Sequence, residues 1–179
     1  MKSIRYIFLY LVSYNAYSQL LDTETIDLNL YLPVVTLLDI ETGTENFTLH
    51  LEHSGNPGEP LTNDTYDATW INYSCSLAPG SSLRNISAHI SSGEMLSGTE
   101  ILLTAGQYSG SGAGEHGVST GTITLSSSPQ NIIENIGGAF TNNGVNNGHQ
   151  LTYELNINSY RHLNHENSTL TINFTLTDN

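Results

Sequence analysis

Basic residues are nearly missing from this chain. Four Lys and Arg stand among 179 residues, against 17 Asp and Glu. Two of the four, Lys2 and Arg5, fall in the first five positions. Everything downstream therefore sets two bases, Arg84 and Arg161, against all 17 acids, a net charge of −15. Such a chain repels phosphate backbones and anionic lipid, so nucleic acid is not an expected partner. The plainest account of the acidity is solubility.

Cysteine is equally scarce. Cys75 is the only one, so no internal disulfide can form. It is either buried as a small apolar residue or paired with another molecule, and no His stands at a spacing that suggests nucleophilic chemistry. Long apolar runs are also absent. The longest near the N-terminus, residues 6–12, falls far short of the roughly 20 residues that cross a bilayer as a helix, and no later stretch is longer, so no membrane span is expected.

The patterns that carry catalysis are missing too. Acidic residues are scattered, apart from Asp22, Glu24 and Asp27, and none forms an Asp-x-Asp-x-Asp-Gly calcium loop. His162 and His165, with Glu166 adjacent, have a spacing that gathers metal ligands only on a helical turn. Here they join two strand-like runs, so they read as a solvated connection. The glycine-rich stretch 106–117 lacks the Gly-Lys-Ser/Thr ending of a phosphate loop, and Gly110-Ser111-Gly112 is no strand-to-helix elbow. The sequence leads us to expect no catalytic residue, no cofactor, no metal and no enzymatic activity. Six Asn-x-Ser/Thr triplets, at Asn46, Asn63, Asn72, Asn85, Asn167 and Asn173, match the glycosylation pattern but are no great excess for a chain this rich in Asn, Ser and Thr.

What is present begins with a leader pattern. Lys2 and Arg5 precede the apolar run, and Ala16-Tyr17-Ser18 offers small residues for cleavage. Residues 1–18 are expected to be a signal peptide and 19–179 one mature domain, exported to the cell surface, the extracellular space or the periplasm.

Beyond it, period-two alternation dominates. Leu151, Tyr153, Leu155 and Ile157 alternate with Thr152, Glu154, Asn156 and Asn158. Leu170, Ile172, Phe174 and Leu176 alternate with Thr171, Asn173, Thr175 and Thr177. Each run is a strand with one dry face and one wet face, and the two are expected to pair as a hairpin. Further strands are expected over residues 26–32, 34–40, 47–51, 69–73, 86–90, 101–105 and 118–125. Polar, Gly- and Pro-rich clusters such as 54–65, 106–117 and 137–148 are expected to be loops. Residues 131–136 are ambiguous, because Ile132, Ile133 and Ile136 have helical spacing over too short a length. The pattern predicts an all-β chain, an Ig-like antiparallel β-sandwich of about 8–10 strands, in one domain. Trp70, Tyr153, Leu155, Ile172 and Phe174 are the expected core, Trp70 being also the best aromatic for stacking on a sugar if it lies outside.

Leu32-Pro33-Val34-Val35-Thr36-Leu37-Leu38-Asp39-Ile40, Thr69-Trp70-Ile71-Asn72-Tyr73, the stretch 144–155 and the closing Leu170-Thr171-Ile172-Asn173-Phe174-Thr175-Leu176-Thr177-Asp178 resemble exported bacterial β-sandwich proteins distantly related to spore coat protein U and archaic chaperone–usher fimbrial subunits. The chain departs from the fimbrial pattern in lacking a Cys pair. The resemblance implies an incomplete sandwich completed by a neighbour's N-terminal strand. Ile26, Leu28, Leu30 and Leu32, which share one face, are the candidate donor, or else the first strand of their own sandwich. The function expected is a non-enzymatic, fimbrial-subunit-like structural or adhesive surface protein, self-associating or binding related exported subunits. The alternative is a monomeric glycan- or protein-binding module using the 106–117 and 137–148 loops at one end of the sandwich.

Overall fold

The computed structural model describes residues 24–42 and 46–178. The expected leader, residues 1–18, and the expected mature start at Gln19 lie outside the described residues. By its internal contacts the chain divides into two units, Met1–Leu32 and Pro33–Asn179. Residues 24–32 of the first have no regular secondary structure. The second unit is all-β.

Its strands are β1 (Thr36–Thr42), β2 (Glu52–His53), β3 (Leu61–Thr62), β4 (Asp64–Cys75), β5 (Arg84–Ser92), β6 (Thr99–Ala105), β7 (Ala113–Ser119), β8 (Thr122–Thr124), β9 (Gln130–Phe140), β10 (His149–Ile157) and β11 (Thr171–Asp178), with one 3-10 turn at Tyr160–His162. Every ladder is antiparallel. Short β2 and β3 pair only with each other, and the other nine strands form one continuous sheet.

That sheet folds on itself to give a β-sandwich. The layer β1-β4-β10-β6-β8 continues into the layer β7-β9-β5-β11 only through the ends of β4 and β9. There Ser74 pairs with Phe140 and Cys75 with Ala139. Beyond this seam, the Thr141 N–H donates to the Tyr73 carbonyl at 3.0 Å and the Tyr73 N–H to Thr141 Oγ1 at 3.0 Å. The inner faces bury Ile71, Tyr73, Leu103, Leu151, Tyr153 and Leu155 from one layer against Ile86, Ala88, Ile132, Ile133 and Ile136 from the other. Alternation does this: in β6 every second residue from Thr99 to Ala105 is buried, and β10 alternates likewise from His149 to Leu155.

Several expectations are corrected. The two C-terminal runs form strands but not a hairpin: β10 pairs with β4 and β6, whereas β11 pairs with β5 in the other layer. The connection between them, residues 158–170, is long enough to cross between layers, while tight hairpins use loops of about two to five residues. Residues 131–136 are strand, not helix. Asn135 takes φ 62° and donates its N–H to Asn85 Oδ1 at 3.2 Å, and opposite it the β9 register slips by one residue against β5. This bulge lets Ile133 and Ile136 both face inward despite their odd separation. Residues 137–140 belong to β9 and 113–117 to β7, so the two loops are shorter than expected. Residues 46–51 alternate in burial yet make no ladder.

Of the expected core, Tyr153 and Leu155 are buried, and Ile172 and Phe174 pack against the core while partly exposed. Trp70 is not in it. The residues beside it, Thr69 and Ile71, point inward and are fully buried, so alternation places Trp70 on the outer face of β4, where it is partly exposed. A bulky ring does not override strand parity when its neighbours on both sides are committed to the core.

Burial grades the expected cost of truncation. Leu103→Ala, at a fully buried site, should cost about 2–5 kcal/mol by urea denaturation. Phe174→Ala should cost less than half as much, because its ring already meets solvent. Equal losses would place Phe174 in a closed core.

Candidate functional site

Among the described residues four strands of the large sheet have a single ladder partner: β7, β8, β1 and β11. Of these, β1 and β11 approach each other, and each presents an unpaired strand edge. Between these edges lies a groove of about 880 Å³. Ile40 of β1, with Phe47 and Leu49 just after it, lines one wall. Leu170, Ile172 and Phe174 line the other. Ile101, Tyr153 and Leu155 form the floor, and Asn46 and Asn167 stand among the polar residues that border it. Four of the five residues expected in the core, Tyr153, Leu155, Ile172 and Phe174, thus converge on one apolar cleft. Phe47 stacks on Tyr66 with ring centroids 4.1 Å apart and planes 4° apart, and leans on Tyr153 at 4.9 Å. This aromatic trio fixes the wall where the backbone makes no ladder.

A cation ties the start of β1 to the end of β11. Arg84, at the start of β5, is almost fully buried. Its Nε donates to Asp178 Oδ1 at 2.7 Å, and its Nη1 donates to the Val35 carbonyl at 3.1 Å and to Thr36 Oγ1. The first residues of β1 and the last of β11 are therefore held to one guanidinium. Asp178 is 73% exposed at its side chain, so solvent screens that ion pair. The bonds to Val35 and Thr36 are the sheltered part. Nearby, Ser76 holds the chain before β1: Ser76 Oγ donates to the Pro33 carbonyl at 2.8 Å, Ser76 Oγ accepts the Val35 N–H at 2.6 Å, and the Ser76 N–H donates to the Val35 carbonyl at 2.9 Å.

The run Ile26, Leu28, Leu30 and Leu32, expected as a donor or first strand, lies in residues 24–32, which have no regular secondary structure. Its four apolar side chains are 92%, 76%, 87% and 83% exposed. The alternation is that of a strand.

The loops at one end of the sandwich do meet. Ser109 and Gly148 exchange two backbone bonds of 2.9 Å, Asn142 Nδ2 donates to Ser111 Oγ at 2.7 Å, and Asn72 donates to the Asn147 carbonyl and accepts the Gly144 N–H. A Cβ on Gly148 would lie 2.0 Å from the Ile71 carbonyl oxygen at a backbone φ of +84°, so only glycine lets the loop close on β4. The polar groups of these loops are largely spent on each other. Beneath them His149 is fully buried. Its Nδ1 lies 2.9 Å from the Gly106 carbonyl, which makes that nitrogen the donor, and its Nε2 lies 3.1 Å from Tyr73 Oη. The His116 ring stacks on Tyr108 at 3.5 Å.

Among the described residues, no three His, Cys, Asp or Glu side chains are grouped as metal ligands. His162, His165 and Glu166 are exposed on the 3-10 turn and the connection after it. Cys75 is buried at the seam, and burial pushes its thiol pKa up, away from the thiolate a nucleophile needs. Asn72 and Asn85 are buried, so two of the six triplets are closed to modification, while Asn46, Asn63, Asn167 and Asn173 are exposed. No protein-family model matches the chain, and neither does any curated protein or solved structure.

Burial lowers the pKa of His149 below the usual 6.5. The unfolded chain takes up that proton more readily than the folded one, so stability is complete above about pH 6.5 and falls as pH drops through this value toward the lower folded one. Urea denaturation between pH 7.5 and 5.5 should show a decline of at most about 1.4 kcal/mol per pH unit from this one group. His149→Gln should remove that component of the slope. An unchanged slope in the variant would assign the pH dependence to other groups.

Proposed function

We propose that this chain is a non-enzymatic, fimbrial-subunit-like structural protein of an exported surface assembly, whose copies join by strand donation. The observation that carries the reading is a complementary pair within one sequence: an exposed, alternating apolar run, and an apolar groove between two unpaired strand edges.

Polarity supports the match: Ile40, Phe47, Leu49, Leu170, Ile172 and Phe174 line the groove with apolar side chains. Four apolar side chains at alternate positions would fill the groove, and the intervening backbone would supply hydrogen bonds to an open edge. A second copy is favoured over the same chain as the source of the strand. Returning the run onto its own β1 edge needs a tight turn at residues 33–35, and such a turn would break the bonds that Ser76 makes to Pro33 and Val35. Export rests on the leader pattern at Lys2, Arg5 and residues 6–18.

The double variant Leu28→Asp/Leu30→Asp tests this reading. Two carboxylates in an apolar groove are costly only where they become buried. The variant should lose concentration-dependent assembly by gel filtration and light scattering while melting at the same temperature as the wild-type monomer. A synthetic peptide of residues 24–34, added to a variant lacking those residues, should bind and raise its melting temperature. A wild-type chain that stays monomeric at all concentrations and ignores the peptide would overturn the proposal.

A further inference from the structure

The only Trp of the chain lies outside the core. Trp70 is on the outer face of β4, opposite Glu41 of β1 on one side and Gln150 of β10 on the other. This face differs from the groove in chemistry: Glu41, Gln150, Thr152 and Thr104 are polar and half-exposed around the half-exposed indole. Asp39, two residues from Glu41, shares the outer face of β1, and Thr152 and Thr104 extend it across β10 and β6. Beyond the leader the chain has two bases. Arg84 is committed to Asp178, Val35 and Thr36, and Arg161 sits on the 3-10 turn, so neither belongs to this face. A large aromatic ring thus sits among carboxylates, amides and hydroxyls, with no Lys or Arg beside it among the described residues.

From this placement we propose that the outer face around Trp70 binds a basic glycan, a chain of pyranose units that carry free amines. The proposal stands independently of strand donation. The argument is one of complementarity. The C–H face of a pyranose ring stacks on indole, which offers a flat, weakly negative surface. A protonated amine gains from the same ring and from nearby carboxylates, through cation–π attraction and charge-assisted hydrogen bonds. Adjacent strands lie about 4.8 Å apart, so Glu41 and Gln150 flank the indole at about the width of one sugar ring. Gln150 donates its Nε2 to the Asp67 carbonyl at 2.8 Å, which fixes the amide and leaves its oxygen free to accept from a hydroxyl. An anionic polysaccharide would be repelled by Asp39 and Glu41. The face is shallow, which suits an extended polymer contacted along its length rather than an enclosed small molecule.

Because Trp70 is the sole Trp, its fluorescence reports this face alone. Titrating the full mature chain with a glucosamine oligomer in mildly acidic buffer should change the emission saturably. Glu41→Gln should weaken the affinity about tenfold, as expected for loss of one charge-assisted contact. In calorimetry Trp70→Ala should abolish binding and Trp70→Phe should retain part of it, with melting temperatures confirming that each variant is folded. Three results would each overturn the proposal: no saturable change in emission, full binding by folded Trp70→Ala, or equal binding of the fully N-acetylated oligomer. Oligolysine that binds as tightly as the glucosamine oligomer, insensitive to Trp70→Ala, would show general charge attraction in place of a glycan site. Assembly is read separately by gel filtration, so loss of strand donation leaves this test intact.

Discussion

Among the described residues, Ser74 and Cys75, at the end of β4, make the one ladder contact between the two layers. Everything on the inner faces depends on that seam, because it sets the two sheets in register along one side and lets Ile71 and Leu103 meet Ile86, Ile132 and Ile136. Two of the edge strands, β1 and β11, are held together at one end through Arg84. A buried guanidinium with a backbone carbonyl, a hydroxyl and a carboxylate as partners is a polar device placed where a hydrophobic contact would otherwise stand, and it fixes geometry more than it adds stability.

Unpaired strand edges are a hazard for an isolated protein, since any other extended chain can add to them. Short edge strands, charges and bulges commonly protect them. Here β11 instead turns Ile172 and Phe174 toward an open cleft, and the same chain carries a run of Ile26, Leu28, Leu30 and Leu32 whose apolar faces meet solvent. Either feature alone would be a liability. Together they share an apolar character, which is the basis of the strand donation proposed above.

The loop end of the molecule follows the opposite logic. Ser109, Asn72, Asn142 and Gly148 satisfy each other, and His149 is sealed beneath them with a carbonyl on one ring nitrogen and a phenol on the other. These bonds brace the loops against each other and against β4. The outer face around Trp70 combines an aromatic ring with carboxylates that meet solvent.

Local pattern alone determined much of this protein. Alternation from Leu151 to Leu155 and from Ile172 to Leu176 is a property of neighbouring residues, so it revealed the strands and the inward faces of Tyr153, Leu155, Ile172 and Phe174. The scarcity of Lys and Arg likewise needs no fold to be read. Tertiary structure decided what lies far apart in sequence. It separated β10 from β11 into different layers, because pairing is settled by long-range competition among edges and not by adjacency. It turned 131–136 into a bulged strand, because the Asn135–Asn85 bond spans two strands that no local window contains. It placed Trp70 outside, because the core's claim on Thr69 and Ile71 fixed the parity of β4.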